Sequence, residues 1–273
     1  MPVVGPSRRA SPRPRLGQHF LRSEAAISRI VDALGAQAGE TVVEIGSGRG
    51  ALTRKLLDRG VRVVAFEIDA FLAHRLEREF SGRPLVVHAV SALEADFGAA
   101  LDEAGAKVPV SLVGNLPYES ATPMLRAFVR RADLFGRIVA MTQKEVAERL
   151  TASPRSSAYG FLTIDVGVHA TTRSLFDVAA KEFDPPPKVK SSVLELLPHP
   201  PRPKALELLA VASAGFLLRR KTLVNALTPL WGRERAMKAV EMAGLLPTVR
   251  AEELPIEAFE SLADLLGERL GSS

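Results

Sequence analysis

The chain has 273 residues, 47% of them hydrophobic, and a formal charge of +5; this suffices for one large or two smaller domains with a sizeable buried core. No stretch approaches the length and apolarity of a membrane span, and no apolar secretory segment follows the N-terminal arginines. Cysteine is absent, which excludes disulfides and cysteine-held metals and accords with a reducing cytoplasm, the expected location. The charge is uneven: residues 1–22 carry five arginines and no acid, 23–200 carry 21 basic and 22 acidic residues, and 201–273 carry 10 and 9. The excess therefore sits at the Pro-rich N-terminus, where residues 1–14 form an arm expected to be disordered. A solubilising tail and a phosphate-neutralising arm both fit it.

After the arm, Ser23 is placed to cap a helix whose apolar residues Ala26, Ile27, Ile30, Val31 and Leu34 recur at helical spacing. Thr41–Ile45 reads as a buried strand running into Gly46-Ser47-Gly48-Arg49-Gly50 and then a helix to Arg59. Val61–Phe66 is the next strand, ending in Glu67-Ile68-Asp69, with a helix carrying Phe71, Leu72, Leu76 and Phe80 behind it. Leu85–Val90, Val110–Gly114 and Arg137–Met141 read as three more strands. Helices from Thr122 to Arg131 and from Lys144 to Leu150 follow the last two. Strands alternating with helices predict α/β architecture with a doubly wound parallel sheet. Phe161–Val168 and Ser192–Leu197 read as strands of an antiparallel edge, separated by Asp184-Pro185-Pro186-Pro187. Pro198–Pro203 reads as a linker, and four helices at 204–218, 221–230, 233–243 and 255–270 make a smaller all-helical C-terminal domain. The expected division is 15–200 and 201–273.

Glu44-Ile45-Gly46-Ser47-Gly48-Arg49-Gly50 follows a strand and opens a helix, where glycines let backbone approach a ligand. The spacing is G-x-G-x-G rather than the dinucleotide G-x-G-x-x-G, and an acid, Glu44, precedes it. A methyl donor such as S-adenosylmethionine has no pyrophosphate and carries cationic ammonium and sulfonium groups, which suits an acidic strand end. Glu67 ends the second strand, where a carboxylate can grip both ribose hydroxyls. A solvated charge at Glu44 and a helix N-terminal acid at Glu67 are the plainer readings. No Walker motif or nucleophile elbow is present, and His19, His74, His88, His169 and His199 lack metal-ligand spacing, so no metal is expected.

Asn115-Leu116-Pro117-Tyr118 follows the fourth strand. An amide oxygen, a proline-stiffened bend and an aromatic face can hold a flat ring bearing an exocyclic amine. A simple strand-to-helix turn fits the same residues.

Together these pieces resemble the bacterial small-subunit ribosomal RNA adenine dimethyltransferases, the kasugamycin-resistance family. The likeness runs from Leu16 to Leu265 through Leu16-Gly17-Gln18-His19-Phe20-Leu21, the glycine loop, Glu67-Ile68-Asp69 and Asn115–Tyr118. It continues through Gln143-Lys144-Glu145-Val146, Ala158-Tyr159-Gly160, Phe183–Val189 and Arg219-Arg220-Lys221-Thr222-Leu223 with Asn225. The resemblance implies a Rossmann-like methyltransferase sheet and transfer of methyl groups from S-adenosylmethionine to N6 of two adjacent adenines near the 3′ end of small-subunit rRNA. It also implies a monomer working on immature subunits, with no membrane partner.

By the same resemblance, Gly46 and Gly48 line the methionine part of the cofactor, Glu67 and Ile68 its nucleoside, and Ser91 and Ala92 its base. Gln18, His19 and Leu21 close that site, and Glu44 lies beside it. Asn115 lies between cofactor and target; with Leu116 and Pro117 it holds the amine, while Tyr118 and Phe183 stack on the adenine. Arg219, Arg220 and Lys221 are expected on rRNA phosphates. For Arg126, Arg130 and Arg131, phosphate contacts and a solvated basic face both fit. Two positions depart from the family: Ser91 stands where it usually has Asp, and His19 where it has Asn, which predicts weaker cofactor binding. A large-subunit rRNA methyltransferase conferring macrolide resistance and a non-catalytic assembly factor are the competing readings.

Overall fold

The computed structural model describes residues 18–267. The 1–14 arm lies outside the described residues.

A short strand β1 (Phe20–Leu21) precedes helix α1 (Glu24–Leu34), whose N-cap Ser23 accepts from the Ala26 N–H. Then strands and helices alternate: β2 (Thr41–Ile45), α2 (Ala51–Asp58), β3 (Arg62–Phe66), α3 (Ala70–Glu79) and β4 (Leu85–His88). After α4 (Phe97–Glu103) come β5 (Val110–Asn115), α5 (Ala121–Val129), β6 (Phe135–Gln143) and α6 (Lys144–Leu150). The strands are apolar runs buried on both faces, as a sheet covered by helices requires.

Phe161–Gly167 is a helix, α7, and not the strand its sequence suggested. Leu162, Ile164, Asp165 and Val166 are all buried because α7 is wedged between the sheet region and the C-terminal helices. A helix covered on several sides loses the one-sided apolar stripe that identifies helices. The antiparallel edge is built instead from β7 (Ala170–Val178) and β9 (Ser191–Pro198), with a two-residue β8 (Phe183–Asp184) between them that pairs with β1.

The seven-stranded sheet has the order β4-β3-β2-β5-β6-β9-β7, parallel from β4 to β6. Strand order reverses between β2 and β5, and ligands of open α/β sheets bind at the carboxyl ends of the strands flanking such a reversal. The glycine loop follows β2 and Asn115 ends β5, so this topology brings together two motifs separated by about 70 residues of chain.

Two apolar layers sandwich the sheet: one includes Leu101, Leu125 and Phe128 from α4 and α5, the other Ile30, Leu56 and Leu76 from α1, α2 and α3. Helices α8 (Ala205–Leu217), α9 (Leu223–Trp231), α10 (Arg233–Met242) and α11 (Ile256–Leu266) share a third core. That core also takes in Tyr159, Ile164 and Val168 from before the Pro-rich connection at 198–203. Among the described residues, no helix is long and apolar enough to cross a membrane.

Candidate active site

A cavity of about 590 Å³ opens at the β2/β5 reversal. Its floor is the glycine loop. Gly46 and Gly48 both have positive φ, +69° and +53°; a Cβ on Gly48 would sit 3.0 Å from the Phe20 ring, and one on Gly46 would sit 3.3 Å from the Asn115 carbonyl. Bare backbone is therefore needed where the loop touches both the N-terminal segment and the Asn115 bend.

Glu67 forms one wall and is almost fully buried. Its two carboxylate oxygens accept from the Gly48 N–H at 2.8 Å and the Asp69 N–H at 2.9 Å. Burial raises its pKa, and the two backbone donors oppose that shift. A carboxylate so held keeps lone pairs for a vicinal diol. Beyond it, Ile68 and Leu93 line the mouth as exposed apolar side chains, with Ser91 and Ala92 between. The Ser91 hydroxyl accepts from the Leu93 N–H at 3.3 Å. Glycine floor, diol-facing carboxylate and apolar slot fit the nucleoside of S-adenosylmethionine.

The opposite wall is the bend after β5. Asn115 donates its side-chain N–H to the His19 carbonyl at 2.9 Å. A carbonyl only accepts, so this bond fixes the amide with Nδ2 on His19 and leaves Oδ1 to accept from a ligand. The Leu116 N–H is held by the Met141 carbonyl at 3.0 Å, and the Pro117 carbonyl accepts from the Ser120 N–H at 3.1 Å. Among the described residues the Leu116 carbonyl takes no such bond, so it is the free acceptor of the bend. Tyr118 lines the cavity with its hydroxyl bonded to that of Ser191 at 2.9 Å.

The N-terminal segment crosses this site. Gln18, His19 and Phe20 line the cavity. His19 Nδ1–H donates to the Pro185 carbonyl at 2.7 Å, and Arg49 lies 4.3 Å over the Phe20 ring while bridging to Asp184 at 2.6 Å.

Three expected site residues do not reach the cavity, and strand alternation explains each. Ile45 faces the cavity, so its neighbour Glu44 points to the other layer, where its buried carboxylate accepts from the Thr53 hydroxyl at 2.7 Å. Burial pushes the Glu44 carboxyl up to about 7. Phe20 faces the cavity, so Leu21 packs in the core. Phe183, paired with Leu21 across β1–β8, is fully buried in the same core and cannot stack on a substrate base.

The basic residues also divide. Arg126 and Arg130 both bind the buried carboxylate of Asp165, and Arg131 pairs with Asp133. Arg219 bridges to Glu252 at 3.2 Å and donates to the Tyr159 carbonyl at 3.1 Å, which makes it a strut. Arg220 and Lys221 are exposed and form no ion pair among the described residues.

Sequence reasoning missed Phe20, Val90, Leu93 and Gln143 as lining residues. The period-2 rule applied to β1 would have found Phe20.

The profile of the family "Ribosomal RNA adenine dimethylase" matches residues 9–268. The chain belongs to the ribosomal RNA adenine dimethylase family. It is 42% identical over 264 residues to a ribosomal RNA small subunit methyltransferase A from Paramagnetospirillum magneticum, covering 94% of this chain and 91% of that one. It is 40% identical to the protein of the same name from Pseudomonas aeruginosa, covering 95% and 96%. Among solved structures, a dimethyladenosine transferase from Plasmodium falciparum shares the fold with a TM-score of 0.73 at 24% identity, over 89% of this chain and 96% of that one. The 23S rRNA methyltransferase ErmE superposes with a TM-score of 0.70 at 25% identity, over 91% and 100%. As a family member the chain is an S-adenosylmethionine-dependent adenine dimethyltransferase with a Rossmann-like sheet.

Proposed function

We propose that the chain, as a monomer, dimethylates N6 of two adjacent adenines near the 3′ end of small-subunit ribosomal RNA in an immature subunit. What carries the reading is the meeting, in one cavity, of a diol-binding carboxylate and an outward amide oxygen fixed by its own hydrogen bond. The small-subunit substrate rests on relatives at 42% and 40% identity carrying that name, against 25% for the large-subunit methyltransferase. An intact acceptor bend argues against a non-catalytic assembly factor.

S-adenosylmethionine, when bound, supplies a methyl group on a sulfonium that is already a good leaving group. Gly46 and Gly48 would hold its amino-acid part, Glu67 its ribose hydroxyls, and Ile68, Leu93 and Ser91 its base. Asn115 Oδ1 and the Leu116 carbonyl accept the two hydrogens of the target amine. Those bonds favour a tetrahedral nitrogen and draw its lone pair out of conjugation with the ring, in the direction of the methyl carbon. Tyr118 offers a face to the extruded base. The residues contribute mainly position and alignment. The helices after residue 200 hold the rRNA, with Arg220 and Lys221 on phosphates.

The test is incubation of the purified chain with labelled donor and either immature small subunits or large subunits. Label in small-subunit rRNA alone is expected. No incorporation, or incorporation into large-subunit rRNA alone, contradicts the proposal.

A further inference from the structure

A second cavity, of about 500 Å³, lies along α6, where the sheet region meets the C-terminal helices. Two sequence motifs that the methyl-transfer site leaves unused converge on it: Glu145 with its neighbour Glu148 on α6, and Ala158-Tyr159-Gly160 on the following loop. Phe161 and Phe216 are half-buried in its wall, and Arg149 stands beside them. Among the described residues Glu145, Glu148 and Arg149 form no ion pair, whereas Arg219 is fixed in the wall by its bonds to Tyr159 and Glu252.

Gly160 is the informative residue. Its φ of −172° is extended backbone that any residue adopts, and a Cβ there would meet nothing within 4 Å. Neither strain nor crowding requires glycine at this position of the cavity wall. Phe216 already packs against the Tyr159 and Phe259 rings, which leaves the half-buried Phe161 ring, the Glu145 and Glu148 carboxylates and the Arg149 and Arg219 guanidiniums in the wall; these suit an unpaired nucleobase, since a ring stacks and exocyclic amines donate to carboxylates.

Position indicates which base. Gln143, the N-cap of α6, lines the methyl-transfer cavity, and Glu148 lies five residues along the same helix, about 7.5 Å further at the α-helical rise. A short extended stretch of one RNA strand spans that interval. We infer that this cavity holds an unpaired base of the substrate strand close to the target adenine, setting which adenine enters the methyl-transfer site. The inference rests on the rRNA reading above.

The chain lacks cysteine, so Glu148→Cys places a single benzophenone–maleimide label at the cavity in the full-length protein. Irradiated with immature small subunits, it is expected to crosslink within a few nucleotides of the methylated adenines. Gly160→Leu, which adds bulk at the cavity wall, is expected to raise KM for subunits by about 10-fold, the scale of one lost base stack, with cofactor Kd and Tm unchanged. Phe161→Leu, which keeps an apolar side chain in the wall and removes the ring, is expected to raise KM in the same direction. Crosslinks only to ribosomal protein or to distant rRNA, or an unchanged KM in both variants, would overturn the inference. If the wild-type chain transfers no methyl to the subunits, the reading beneath it fails and the inference falls with it.

Discussion

The side-chain amide of Asn115 donates to the main-chain carbonyl of His19 at 2.9 Å, tying the bend after β5 to a segment 96 residues earlier. The bond orients the amide so that its oxygen faces the cavity. It also makes a correct acceptor geometry depend on the N-terminal segment lying closed over the cofactor side.

That segment is anchored by the β1–β8 pairing, the His19–Pro185 bond and the Arg49 contact on Phe20, and these anchors bear on the site. Arg49→Ala removes an exposed ion pair and a cation–π contact, together worth about 1 kcal/mol. Cofactor Kd is expected to rise about 5-fold, by the usual conversion of free energy to affinity, as measured by calorimetric titration. His19→Ala loses the donor to Pro185 and lowers kcat, whereas His19→Asn supplies another side-chain N–H and retains most of it.

In the proposed site Ser91 would offer the cofactor base a hydroxyl. Ser91→Asp introduces a charged acceptor at the same wall, and charge-assisted bonds are roughly twice as strong as neutral ones. Cofactor affinity in the same titration is expected to increase several-fold, with the rate of methyl transfer at saturation unchanged.

The basic residues separate into those bound to carboxylates and those exposed without an ion pair among the described residues. Arg126→Ala and Arg130→Ala each uncover part of the buried charge of Asp165 and are expected to cost about 1–2 kcal/mol in denaturant unfolding, with the salt dependence of rRNA binding unchanged. Arg220→Ala with Lys221→Ala is expected to leave stability unchanged and to reduce the slope of log affinity against log salt by about 1.5, as for two lost phosphate contacts.

Glu44 makes stability depend on pH. Its carboxyl rises from 4.5 to about 7 on folding because burial penalises the ion. The folded chain therefore binds more protons than the unfolded one between those values, and stability falls as pH rises through that window. Glu44→Gln removes the ionisation while keeping an acceptor for Thr53. The variant is expected to match the wild type near pH 4.5 and to exceed it by up to about 3 kcal/mol above pH 7, read from denaturant melts across that range.

Much of this was legible in the sequence because parallel strands are continuous apolar runs and the loops after β2, β3 and β5 carry residues with few alternative uses. What failed did so locally. In α7, Leu162, Ile164 and Val166 alternate like a strand because both regions of the molecule bury them, and a paired Asp165 hides in their midst. In β7, Thr171, Arg173 and Ser174 conceal an edge strand whose outer side faces water. Glu44, Leu21 and Phe183 lie next to cavity residues in sequence yet face the core, since neighbouring strand residues point opposite ways. The carboxylate partners of Arg126, Arg130 and Arg219 are 33 to 39 residues distant, beyond the reach of local spacing.

In the proposed mechanism Asn115 accepts a hydrogen of the target amine. The decisive measurement is single-turnover methyl transfer to immature small subunits by Asn115→Ala, alongside its cofactor and subunit affinities. A fall in the transfer rate of about 10²-fold or more is expected, comparable to removing one preorganised hydrogen-bonding group from a transition state, with both affinities within a few-fold of wild type. An unchanged transfer rate would contradict that role.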